Sequence, residues 1–211
     1  CMMVRIVVAS GNEGKINDFR AIFPDDEIIG IKKMLPGFSV DETEDTFRGN
    51  AILKAEAAAE ALDMPVLSDD SGLSVDALDG APGVYSARFA GVDATDEENN
   101  SRLLSELEGV GDRTAHFTCV IALAMPGRET RTYEGKLHGE ILESPQGGGG
   151  FGYDPLFRTE DGRLLGMVSA EEKGEISHRR NALDRLREDT ELFDALIRFD
   201  GDDGNEDSDR K

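Results

Sequence analysis

The chain has 211 residues, 38% of them hydrophobic, which suffices for one substantial core, and no apolar run approaches the length of a membrane span. With 44 acidic against 23 basic residues its formal net charge is −21, so the surface repels nucleic-acid polymers and acidic membranes, and neither is an expected partner. The N-terminus lacks a signal-peptide cleavage pattern and the two cysteines make no disulfide framework, so a soluble cytoplasmic protein is expected.

Residues 4–9 form an apolar, β-branched run that ends in Ser10, Gly11, Asn12, Gly14 and Lys15, the pattern of a buried strand handing over to a helix. Ile16, Phe19, Ile22 and Phe23 follow near helical spacing. Unpaired amides at a helix start, glycines and a lysine suit a phosphate. The spacing is shorter than that of a P-loop, and Ile16 stands where that motif places a hydroxyl for magnesium, so this is not a Walker loop. Residues 27–31 read as a second strand and 32–45 as a loop with four acids, Asp41, Glu42, Glu44 and Asp45. Thr46 caps an Ala-rich helix over 47–62. A short strand, 64–68, runs into Asp69, Asp70, Ser71 and Gly72, and 73–78 resume an extended pattern.

Residues 80–83 read as a turn and 85–89 as a short extended piece, after which Thr95 caps a helix with Leu103, Leu104 and Leu107 as its apolar stripe. Two long strands, 113–125 and 129–143, are joined by Pro126, Gly127 and Arg128 as a hairpin. The first contains Cys119, read as a core thiol, and the two hold His116 and His138, read as structural. A loop with four consecutive glycines covers 144–153. Ser169 precedes a short turn at 170–173, and Ser177 caps one final helix carrying Ala182, Leu183, Leu186, Phe193, Leu196 and Ile197. From Asp200 onward no apolar residue occurs, so an acidic, disordered tail is expected to follow a single domain over 1–199. Strands alternating with helices before a hairpin predict an α/β fold with a mixed sheet. An acid excess of this size resembles proteins adapted to high salt, where ions screen self-repulsion, and the expected source is halophilic.

Adjacent residues of an extended chain face opposite ways, so Asp69 and Asp70 enter one pocket only if the strand turns there, and one of them is the better candidate for holding magnesium or taking a proton from water. The same residues would also serve as an Asx turn at a strand end. Phe151 and Tyr153 beside glycines suit stacking on a base or a place in the core. Lys173, His178 and Arg179 surround a helix start capped by Ser177, a grouping suited to carbonyl or phosphate oxygens.

Taken in order, Ser-Gly-Asn-x-Gly-Lys from Ser10, Thr-Phe-x-x-Asn-Ala-x-x-Lys-Ala from Thr46, Ser-Asp-Asp-Ser-Gly-Leu from Ser68, Gly-Ala-Pro-Gly-Val-Tyr-Ser-Ala-Arg from Gly80, Gly-Phe-Gly-Tyr-Asp-Pro from Gly150 and Glu-Glu-Lys-x-x-x-Ser-His-Arg from Glu171 resemble the inosine triphosphate pyrophosphatase family, from about Val4 to Leu196. The resemblance implies a homodimeric α/β protein with an elongated mixed sheet and a cleft between two lobes. It also implies hydrolysis of non-standard purine nucleoside triphosphates (ITP, dITP, XTP) to the monophosphate and pyrophosphate with magnesium (Mg2+). Carried onto this chain, Ser10, Gly11, Asn12, Glu13, Gly14 and Lys15 hold the triphosphate and Lys54 faces the phosphates. Asp70 becomes proton acceptor and magnesium ligand, Ser71 touches substrate, and Glu42 is the second metal-linked carboxylate. Phe151, Gly152, Tyr153, Asp154 and Lys173 frame the base, with Phe151 stacking, while His178 and Arg179 meet the purine edge.

The physical chemistry agrees, because attack on the α-phosphorus of a polyanion needs the positive charge that Lys15, Lys54, helix amides and magnesium supply. Asp70 beside magnesium is expected to stay ionised. Donors aimed at a 6-oxo group would disfavour the amino group of adenine. A non-catalytic nucleotide sensor would have no need of Asp70, and a general magnesium phosphatase would release orthophosphate whatever the base.

Overall fold

The computed structural model describes residues 3–202. Cys1 and the tail from residue 203 lie outside the described residues. Six strands form one mixed sheet in the order β2-β1-β3-β4-β5-β6, as the alternation of elements predicts. β1 (Arg5–Val8) pairs in parallel with β2 (Glu27–Gly30) and with β3 (Val66–Val75). β4 (Thr114–Ala124), β5 (Arg131–Ile141) and β6 (Phe157–Thr159) continue antiparallel from β3.

Alternation along the strands assigns the helices to faces. Ile6, Val8, Leu67 and Ile121 pack on Ile16, Phe19 and Ile22 of α1 (Glu13–Ile22) and on Ala182, Leu183 and Leu186 of α6 (His178–Glu188). Val7, Ala9, Val66, Val120 and Ala122 pack on the opposite side against Ala51, Ala55, Ala58 and Ala59 of α3 (Phe47–Leu62), whose small side chains let the helix lie close to the sheet. A third cluster fills the far half of β3 and β4, where Leu73, Val75 and Phe117 meet Leu103 and Leu107 at the end of α4 (Asp96–Glu106) together with Tyr153, Leu156 and Phe157. The core is thus in two halves along two long strands, and the site lies between them.

Several local expectations give way. The two extended pieces around 69–72 are one ten-residue strand, with Asp69, Asp70, Ser71 and Gly72 in register with Ile121, Val120, Cys119 and Thr118 of β4. The turn-forming composition misleads because cations inside the fold compensate the two aspartates. Residues 85–89 are not extended: Gly83–Arg88 is a 3-10 helix entered from Pro82, whose own backbone is already helical. The 32–45 loop begins with a short helix, α2 (Ile31–Met34), which takes the last residue assigned to the second strand. The turn at 170–173 lengthens into α5 (Ala170–Ile176), and Ser177 both ends it and caps α6. The single closing helix is two, because Asp189 leaves helical geometry and accepts the Tyr133 hydroxyl at 2.6 Å. The second, α7 (Thr190–Asp202), runs past the expected start of the tail. No helix among the described residues is long and apolar enough to cross a membrane.

Candidate active site

β1 and β2 end level with each other, Val8 against Gly30, and α1 and α3 depart on opposite faces of the sheet. A crevice at such a reversal is where open α/β sheets receive ligands. Here it is a cavity of about 380 Å³.

One side is built for an anion. Ser10, Gly11, Asn12 and Lys15 line it, with Lys32 of α2 and Lys54 of α3. Asn12 caps α1, its Oδ1 accepting the Lys15 N–H at 3.1 Å while its own N–H donates to Ser10 Oγ. Thr46 Oγ1 accepts the Gly49 N–H at 3.0 Å as expected, and buried Asn50 clamps the acidic loop by accepting from the Glu44 N–H and donating to the Glu44 carbonyl. That clamp ties the loop to the helix that carries Lys54. Of the four loop acids, Glu42 alone reaches the cavity. Its Oε1 lies 2.7 Å from Lys54 Nζ. Burial opposes its ionisation, but the Lys54 ammonium, together with Lys15 and Arg88, holds the carboxyl below the usual range.

Because the strand does not turn, the two aspartates divide. Asp69 faces α1 and α6 and is fully buried. Its Oδ1 meets Lys15 Nζ at 2.9 Å, and its Oδ2 accepts from Arg179 Nε at 2.6 Å and from the Cys119 thiol at 3.0 Å. Burial disfavours its charge, yet Arg179 and Lys15 prevail and hold it well below the ordinary carboxylate value. Asp70 faces α3 and the cavity, with Lys54 Nζ 3.7 Å from Oδ1 and no hydrogen-bond partner for Oδ2 among the described residues. Burial pushes it up to about 6 against the pull of Lys54 and Lys15. A carboxyl near 6 with an open oxygen is equipped to accept a proton near neutral pH.

The other side is aromatic and rigidly held. Tyr153 donates its hydroxyl to the Ser86 carbonyl at 2.6 Å, and the Gly152 N–H donates to Asp96 Oδ2 at 2.9 Å. Asp154 Oδ2 accepts from the Phe151 N–H at 3.1 Å and from Lys173 Nζ at 2.7 Å. The Phe151 ring lies against Gly14, where an added Cβ would come within 2.5 Å of it, and Lys173 Nζ sits 4.5 Å from the ring centroid. His178 stacks on Phe117 at 4.8 Å, and its Nδ1 is buried without a partner among the described residues. Burial, with Arg179 and Lys173 close by, holds its pKa well below the ordinary value, so the ring is neutral at pH 7.

The nominated residues therefore converge, with some differences of place. Ser10, Gly11, Asn12, Lys15, Glu42, Lys54, Asp70, Ser71, Phe151, Gly152, Tyr153, Asp154, Lys173, His178 and Arg179 all line one cavity. Glu13 and Gly14 stand outside the lining, Glu13 exposed in the first turn of α1 and Gly14 beneath the Phe151 ring. Arg179 is wholly buried, and its three nitrogens meet Asp69, Asp18 and Ser71. Asp18 and Lys32 were not singled out from the sequence. Asp18 Oδ2 joins Arg179 and Lys173 to the helix of Lys15, and its position three residues after Lys15 was the available signal. His116 and His138 face each other across β4 and β5 at 5.4 Å, outside the cavity lining. Cys119 is a core thiol that also touches Asp69.

The Ham1 family pattern matches residues 6–189. A Staphylococcus aureus protein named dITP/XTP pyrophosphatase is 51% identical over 186 residues, 88% of this chain and 95% of that protein. The structure of the Staphylococcus aureus Ham1 protein superposes with a TM-score of 0.78 at 50% identity, covering 89% of this chain and 98% of that one. A HAM1 protein from Coxiella burnetii gives a TM-score of 0.76 at 40% identity over 87% and 96% of the two chains. Sequence pattern, identity and fold agree over the same span, and this chain belongs to the Ham1 family, the inosine triphosphate pyrophosphatases that its motifs resemble.

Proposed function

We propose that the protein hydrolyses non-standard purine nucleoside triphosphates, dITP, XTP and ITP, to the monophosphate and pyrophosphate. The observation that carries this reading is the open, buried Oδ2 of Asp70 between a lysine-lined wall and an aromatic wall. A sensor would gain nothing from burying that oxygen unsatisfied, at the cost such a group carries.

Lys15 and Lys54 draw the triphosphate into place and offset charge that grows at the α-phosphorus. Asp70 Oδ2 orients the attacking water and accepts its proton. Asp69 holds Lys15 and Arg179 fixed while this happens. Phe151 stacks on the base and neutral His178 offers one nitrogen as donor and the other as acceptor to the purine edge. Lys173 and Asp154 set the angle of the Phe151 loop.

The residues fit magnesium. Asp70 Oδ2 is unpartnered and Glu42 stands on the other side of Lys54. Magnesium takes one or two carboxylates and fills its remaining positions with water and substrate oxygens. When bound, magnesium supplies positive charge against the phosphate oxygens. A homodimer, which rests on the family resemblance, and a cytoplasmic location, which rests on the sequence composition, belong to the same proposal.

The test is a product assay with magnesium in high-salt buffer, giving ITP, XTP, GTP and ATP separately. Pyrophosphate from ITP and XTP with little from GTP or ATP is expected. Orthophosphate would favour a general phosphatase, and no product from folded protein would favour the sensor.

A further inference from the structure

The cations around the cavity are nearly all spoken for. Lys15 is paired with Asp69, Lys54 with Glu42, Lys173 with Asp154 and Asp18, and Arg179 with Asp69 and Asp18. Lys32 differs: it lines the same cavity, is exposed, and has no carboxylate within ion-pair distance among the described residues. Its place follows from where β2 ends and α2 begins. Gly30 pairs with Val8 at the end of β2, a Cβ built on it would lie 3.5 Å from the Ser10 carbonyl, and α2 starts at the next residue, so Lys32 in the first turn of α2 follows directly on the start of the anion-binding turn. A Cβ built on Gly11 would lie 2.7 Å from Lys32 Cε and 2.9 Å from Nζ, which puts the ammonium directly against the backbone of that turn.

In a protein of net charge −21, a lysine that no neighbouring acid compensates, pressed on a glycine of an anion-binding turn, is a charge waiting for a ligand. We propose that Lys32 binds the distal phosphates of the substrate and the pyrophosphate they become. This rests on the triphosphate reading above and adds a residue to it. Lys15 and Lys54 reach the cavity from the side of Asp69 and Asp70, whereas Lys32 reaches it from α2, beyond the edge strand. The two groups therefore grip different ends of a polyphosphate. The step involves no bond making; Lys32 sets how tightly the leaving group is held before and after cleavage.

The adjacent Lys33 provides the control, since it is also exposed and lies outside the cavity lining. Binding of inorganic pyrophosphate and of inosine monophosphate, each with magnesium, is measured by calorimetry on wild type, Lys32→Ala, Lys32→Arg and Lys33→Ala. Lys32→Ala is expected to weaken pyrophosphate binding about fivefold, the scale of one charge-assisted contact made partly in solvent. Lys32→Arg should hold it, Lys33→Ala should leave it unchanged, and monophosphate binding should not move in any variant. Unchanged pyrophosphate binding in Lys32→Ala, an equal loss in Lys33→Ala, or a parallel loss of monophosphate binding would overturn the assignment while leaving the enzyme reading intact. Failure of the wild type to bind pyrophosphate would overturn both.

Discussion

Replacing Asp69 and Asp70 separately by Asn changes neighbouring residues in the same way, yet the structure assigns the two variants opposite effects on stability. Asp69→Asn removes the negative charge that compensates Lys15 and Arg179, the latter wholly buried. Breaking a buried pair from one side costs about 3–5 kcal/mol, and in a domain of this size that lowers Tm by roughly 6–20 °C. Asp70→Asn removes a carboxyl that burial has pushed up to about 6. Relative to its ordinary value, keeping that group ionised at neutral pH destabilises the native state by about 3 kcal/mol. Asn carries no such penalty, and after allowance for the lost 3.7 Å approach of Lys54 the variant should gain about 1–2 kcal/mol.

The sign of the pH dependence follows. The destabilisation from Asp70 is fully present above pH 6 and disappears as the group protonates on the way down toward its unfolded value. The Tm advantage of Asp70→Asn should therefore shrink below pH 6. Thermal unfolding by circular dichroism, in EDTA without nucleotide, measures both variants, and steady-state turnover measures the second consequence. Asp70→Asn should lose about 10²–10⁴-fold in kcat while gaining stability. An Asp69→Asn protein that melts with the wild type, or an Asp70→Asn protein that melts several degrees lower, would refute the division of labour between the two.

Three further outcomes are expected. Gly14→Ala places a methyl group 2.5 Å from the Phe151 ring, so the ring must move; KM for ITP should rise several-fold with Tm unchanged, and an unaltered KM would remove Phe151 from base binding. Lys15→Ala should raise KM for the triphosphate, and unchanged kcat and KM would show that the turn after β1 is not the phosphate site. If the source is halophilic, Tm should climb between low and molar potassium chloride as 44 acidic side chains are screened, whereas a flat profile would dismiss that origin.

What could be read in advance follows a physical division. Local signals were legible: the caps at Thr46, Thr95 and Ser177, the glycine turn after β1 and the hairpin each depend on residues a few positions apart. The strand through Asp69 and Asp70 was not, because what keeps two acids inside a sheet comes from Lys15, Lys54 and Arg179, on three different helices. Lys32 was missed for a related reason. Its significance lies in its approach to Gly11, about twenty residues away in sequence, and the short helix that presents it has too few residues to leave a periodic pattern.

The same division explains how one strand can serve two purposes. Successive side chains of β3 leave on opposite faces, so a single Asp-Asp step places one carboxylate under the helices that present Lys15 and Arg179 and the other in the buried wall of the cavity. The first is ionised by its neighbours and fixes both cations. The second, one residue along, is held in a poorly solvated place with a free oxygen. The free energy that keeps the Asp70 oxygen buried without a partner comes from contacts like those of Asp69, which is why exchanging their environments, for example by a one-residue slip of β3 against β4, would remove framework and chemistry together.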